Sequence, residues 1–165
     1  MPATPTPVGL LSVPLTRLAG MVAECPSFLA WTGATTPEEA QEHIHLLQST
    51  REPALPLCLI DYGDGFERER VGVTMNRPFA QRGSLILYLR DRVDPDLDDR
   101  AVTVAFCNRV GALWDELERM ILTDGRLLIT AIALAATPTR VPSDRRSHAG
   151  DHLETALALT WQSPR

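Results

Sequence analysis

The groups in this chain of 165 residues that could bind a metal or attack a substrate are few and scattered. Asp94-Pro-Asp-Leu-Asp-Asp99 gathers carboxylates of the kind hard cations prefer. A calcium loop, however, wants Gly where Asp99 stands and a bidentate Glu where Ala105 stands. Acidic residues ahead of a helix are more simply caps and dipole partners. His148 and His152 flank Asp151, with Glu154 close by. Chelation needs rigid spacing, and Gly150 breaks the segment. His43 and His45, two apart on an expected helix, project to different sides. A nucleophilic Cys107 would need a base and an electropositive setting, whereas here it follows Phe106 inside a long helical pattern. No GxSxG, Walker A, HExxH or GxGxxG sequence occurs. An enzyme built on this chain would have to draw on Asp61, His148 or His152 without a motif to organise them. The expectation is a protein with no catalytic residues, no metal site and no cofactor.

What remains is chemistry of contact. Arg140, Arg145 and Arg146, with His148, form the one local basic cluster, in the segment Thr137–Asp151. Guanidinium groups suit bidentate contacts with carboxylates on a neighbouring subunit or partner. The same segment also suits a solvated loop. On either side of it lie two apolar runs, Leu127–Ala136 and Leu153–Trp161, that read as strands. Compact domains usually join strands through roughly 2–5 residues, so this connection is a long arm.

Each of these strands is expected to be two-faced. Leu128, Ile132 and Leu134 oppose Ala131, Ala133 and Ala135; Leu153, Leu157, Leu159 and Trp161 oppose Ala156, Ala158 and Thr160. The bulky face belongs under a helix. The small face, with Ala131, Ala133, Ala156 and Ala158, is open to a second subunit or to cover by the N-terminal helices. Trp31 and Trp114 suit either a core or an interface.

The elements that must position these groups follow from pattern. Residues 1–13, with Pro2, Pro5 and Pro7, read as a flexible tail, and 14–165 as one α+β domain. Leu15, Leu18, Val22 and Cys25 recur at helical spacing until Pro26. Ser27–Gly33 carries a bulky apolar patch. Thr36, Pro37 and Glu39 mark a helix start, running to about Gln48 with Ala40, Ile44 and Leu47 inward. Leu55–Tyr62 reads as a buried strand, Phe66–Val73 with its Glu67-Arg-Glu-Arg70 alternation as an exposed ribbon, and Ser84–Leu89 as a strand. The longest helix spans about Asp98–Leu122, with Val102, Phe106, Val110, Leu113, Leu117 and Ile121 inward and Arg109, Glu116 and Arg119 in water. Together these predict a mainly antiparallel mixed sheet flanked by two or three helices, with a long loop between the last two strands.

Composition bounds the partners. The formal net charge is -5, and every cation is arginine. An acidic chain without a basic stripe is not expected to bind nucleic acid sequence-specifically. Cys25, Cys58 and Cys107 are odd in number and widely spaced, which predicts free core thiols in a reducing compartment. The longest apolar run is about half a bilayer span, and the start lacks signal-peptide character, so a soluble intracellular product is expected.

The element order, with Phe106-Cys-Asn-Arg-Val-Gly-Ala-Leu-Trp114 in the long helix and Gly125–Trp161 as strand, arm and strand, resembles the tail terminators and head–tail joining (neck) proteins of tailed bacteriophages. The likeness runs from about Pro14 to Trp161 and rests on layout. It implies a virion structural protein, assembled in the host cytoplasm, whose subunits close into a commonly hexameric ring. That ring would cap the tail tube and join it to the head, with other tail or neck proteins as partners and no membrane. The proline-rich start and the 66–82 ribbon have no counterpart in that family. The alternative is a small bacterial domain that binds a ligand or partner without catalysis.

Overall fold

The computed structural model describes residues 11–47, 54–70, 79–123, 128–142 and 151–162. Proline punctuates its first third. α1 (Ser12–Glu24) buries Leu15, Leu18, Met21 and Val22 and stops at Cys25, whose extended backbone precedes Pro26. That proline opens α2 (Pro26–Thr32), where its missing N–H costs nothing, and Gly33 closes α2 at φ 76°. Helix α1 thus takes in Ser12 and Val13, expected in the tail, whose residues 1–10 lie outside the described residues, and the apolar patch at 27–33 is largely a helix. Seven residues are too short to show a helical period.

α3 (Pro37–Gln41) starts as expected, with Thr36 Oγ1 accepting from Glu39 N at 3.3 Å. Glu39 reaches back to Thr35, not Thr36, taking its N–H and hydroxyl at 2.7 Å. The helix does not run on to Gln48. Ile44–Leu46 instead forms β1, parallel to β2 (Leu57–Tyr62). Tertiary pairing has overridden the local pattern, and Leu47 turns the chain at φ 62°.

The sheet order is β1-β2-β4-β6-β5, completed by β4 (Phe79–Arg92), β5 (Leu128–Val141) and β6 (His152–Gln162), while β3 (Glu67–Arg70) pairs with β4 beyond β2. All pairings except β1·β2 are antiparallel. This is an open, mixed α+β fold, as the sequence predicts, with four helices among the described residues, three of which pack on the sheet. One face of the sheet, through Cys58, Ile60, Leu85, Leu87, Leu89, Leu157, Leu159 and Trp161, meets α1, α2 and α4 (Asp99–Thr123) in a single core. At the far end of that face, Phe66 and Trp161 lie with ring centroids 6.0 Å apart beside Gly83. A Cβ on Gly83 would stand 3.2 Å from both, so no larger residue fits without a shift.

The long helix keeps its expected stripe: Val102, Phe106, Val110, Leu113 and Leu117 are buried. Asp98 caps it, its carboxylate accepting from Ala101 N at 2.7 Å. β4 and β5 both outrun their apolar segments. Their polar ends are paired by β3 and by the start of β6, so pairing and not burial defines these strands.

Candidate assembly surface

The last two strands form a long hairpin whose outer member, β5, is an edge of the sheet. Of its residues only Ile129 is buried, while Leu128 and Leu134 are 40% and 46% exposed. The expected two-faced pattern holds on β6 and, on β5, over Ala131–Leu134, where Ile132 and Leu134 stand opposite Leu159 and Leu157; Leu128 departs from it. The register shift between Ile129 and Ala131 turns Ile129 inward and leaves Leu128 outside, and further shifts follow Leu134 and Ala136. These bulges, and Pro138 with no N–H to donate, make β5 a poor template for an additional strand. Contact here would run through side chains.

The alanines come together as the sequence reading places them. Ala133 stands opposite Ala158, Ala131 opposite Thr160, and Ala156 opposite Ala136. By strand alternation they share the face turned away from the helix-side core, continued across β4 by Ile86 and Tyr88. Ala131 and Ala133 are exposed, and Ala156 is buried beneath its neighbours. Arg90 and Glu154 form an ion pair on this face, so its apolar strip carries a polar border.

The arm is shorter than expected. Thr139, Arg140 and Val141 pair with Glu154, Leu153 and His152, which leaves 142–151 as the connection. Arg140 is a strand residue, and its guanidinium donates to Asp99 at 2.7 Å and to Asp151 at 2.9 Å in its own chain. Those carboxylates, Asp151 foremost, hold its pKa above the ordinary arginine value. Arg145, Arg146 and His148 lie outside the described residues.

Register places the junction of β5 with β6 and the β3–β4 ribbon at opposite ends of one sheet. The 142–151 connection lies where Arg92 pairs with His152. At the other end β6 stops at Gln162, opposite Arg82, while the β3–β4 ribbon continues to the pair Arg70 and Phe79. A cross-strand ion pair between Glu67 and Arg82 ties the root of this ribbon.

The candidate chemical groups are otherwise engaged or apart. Among the described residues no group of three His, Cys, Asp or Glu side chains could hold a metal ion. His152 Nε2 stands 4.0 Å from Glu154, whose carboxylate Arg90 already holds. His43 Nδ1 lies 2.8 Å from the Pro56 carbonyl, and His45 sits on β1, not on a helix. Burial, then neighbouring His43, pushes the His45 pKa down.

Cys107 corrects an expectation, for it is exposed on α4 while Cys25 and Cys58 are buried. Helical periodicity shows why: Phe106 and Val110 define the inward stripe, and Cys107 sits one position past it. Trp31 packs edge-on against Phe28 and Phe106, with centroids 6.2 and 5.9 Å away, and is thus part of the core. Trp114 is half-buried and donates to Glu118. Among the described residues, Trp31 Nε1, Tyr62 OH and Trp161 Nε1 are buried without a hydrogen-bond partner.

One expectation of solvated charge changes: Glu116 turns inward to α2. Arg109 stays exposed, as expected, and pairs with buried Asp91. Neither contact has a signal in local sequence, since the partners lie 89 and 18 residues away. No described helix is long and apolar enough to cross a membrane. The chain matches no protein-family model, and no curated protein matches it.

Proposed function

We propose that this chain is a virion structural protein of a tailed phage or prophage, forming a ring at the tail end or neck that terminates the tail tube and joins it to the head. The observation that carries the reading is the β5–β6 hairpin. Its edge strand leaves Leu128 and the Ala131/Ala133 strip in water on the face turned away from the described helices, and Leu134 in water on the helix side. Exposed apolar surface of this kind is what association between subunits removes from water. The β5–β6 junction and the β3–β4 ribbon, at opposite ends of the sheet, suit a subunit that meets one neighbour above it and another below. Arg145, Arg146 and His148 belong to the connection at one end and are assigned to docking on the adjoining protein.

In this role the protein needs no catalytic residue, metal or cofactor. Its work is geometric: fixing the diameter at which the tube stops and presenting a surface to the neck. A mildly acidic ring suits a channel through which DNA must pass without sticking. Assembly would take place in the host cytoplasm, with other tail or neck proteins as partners. Negative-stain imaging of the purified chain tests the reading. Closed annular particles of one diameter are expected, and images showing only particles of single-chain size, alone and with tail tubes added, would reject it.

A further inference from the structure

Among the described residues β1, β5 and β3 each present an outer edge, and they differ in what they offer. β1 is three residues long, and β5 is interrupted by bulges and Pro138. β3 is unbulged, pairs with β4 alone among the described residues, and lies where the ribbon passes the end of β6. Its sequence is Glu67-Arg-Glu-Arg70. Read in opposite directions from two chains, that sequence is its own complement. Antiparallel pairing about a two-fold axis sets position 67 against 70 and position 68 against 69, so every glutamate position opposes an arginine position.

We infer that the free edge of β3 is a contact site for a second copy of this chain, joined β3 to β3 in antiparallel register. Such a contact is isologous, and self-complementarity is the condition an isologous interface must meet. The ribbon already uses this chemistry on its other side, where Glu67 stands opposite Arg82 and forms an ion pair with it. Charged edge strands commonly repel other strands. Alternating signs repel only the wrong registers: a parallel in-register pairing, or a slip of one residue, puts like charges together. The sequence therefore favours the register that makes all four opposite-charge pairs: one-residue slips set like charges together, and two-residue slips keep only two pairs. This contact is independent of the ring, and in a ring it would pair one ring with another through several weak contacts at once.

The experiment uses two charge variants of the full chain, Glu67→Arg with Glu69→Arg, and Arg68→Glu with Arg70→Glu, followed by sedimentation velocity at low and high salt. Circular dichroism matching the unsubstituted chain establishes that both fold. The unsubstituted chain is expected to reach twice the mass of either variant alone. An equimolar mixture of the two variants should recover that mass, and high salt should remove it. The association constant of each variant with itself should fall by about tenfold or more. Equal masses for the unsubstituted chain, the variants and the mixture would overturn the proposal, as would a mixture that does not recover. A ring that forms normally in both variants separates this result from the fate of the ring reading.

Discussion

Glu116, in the middle of the long helix, caps a different helix at Ser27. Its carboxylate accepts from the Ser27 N–H at 3.0 Å and from the Ser27 hydroxyl at 2.6 Å. The residue at the N-cap position of α2, Cys25, supplies no side-chain bond to the helix start. A short helix with orphan donors is thus anchored from outside. Replacing Glu116 by Ala should cost about 1–2 kcal/mol, the range for losing an N-cap, and Glu116→Gln should cost less because an acceptor remains. Urea midpoints of the two variants give the comparison.

Asp91 and Arg109 make the second cross-link, between β4 and α4. Asp91 is 6% exposed and also accepts from Arg92 N at 2.8 Å. Arg109→Met strips the guanidinium from a buried carboxylate and should destabilise by about 1–3 kcal/mol. Arg82→Met breaks the Glu67 pair, which lies in water, and should cost about 1 kcal/mol or less. Equal losses in thermal melts of the two variants would show that burial does not govern the difference.

The thiols separate by depth. In the folded protein only Cys107 should react with an aromatic disulfide reagent at mild pH, and Cys25 and Cys58 should follow on denaturation. Burial, aided by Glu116, pushes the Cys25 thiol up to about 12, and burial raises Cys58 as well. Both folded-state values lie above the unfolded one, so stability is unaffected below the unfolded pKa. It is then lost as pH rises from there toward 12. The slope should approach about 1.4 kcal/mol per pH unit for each thiol. A Cys25→Ala/Cys58→Ala variant, measured by urea unfolding at rising pH, should lose most of that slope.

Arg145→Ser with Arg146→Ser tests the docking role of the last connection. The fold should be retained, and assembly with the adjoining protein should weaken by about tenfold or more, as for loss of charged rim contacts. Arg140 is left in place because it ties Asp99 to Asp151 within the chain, so replacing all three mixes docking with stability. Unchanged assembly in the double variant would remove the arm from the interface.

These residues also mark how far the sequence carries. α1 and α4 were legible because Leu15, Leu18 and Val22, and Phe106, Val110 and Leu113, repeat at the helical period over many turns. The core strands were legible because Leu85, Leu87 and Leu89 alternate. Lost from view were features decided by partners distant in sequence. Ile44–Leu46 sits in a helix-like pattern yet pairs with β2, and Arg140 reads as loop until His152 and Leu153 pair beside it. The bulge between Ile129 and Ala131 inverts Leu128 and Ile129, because one extra residue exchanges the faces of the residues on its two sides relative to a regular strand. The alanine strip was predicted from composition and strand period and needed no tertiary information. The capping role of Glu116 needed all of it.

The most direct test is the solution mass of the purified 18.2 kDa chain by light scattering over a wide concentration range. At high salt, where the β3 contact is removed, the expected result is a fixed multiple of the chain mass that dilution does not change, as a closed ring requires. A mass of one chain at every concentration, unaltered when tail tubes are supplied, would contradict it.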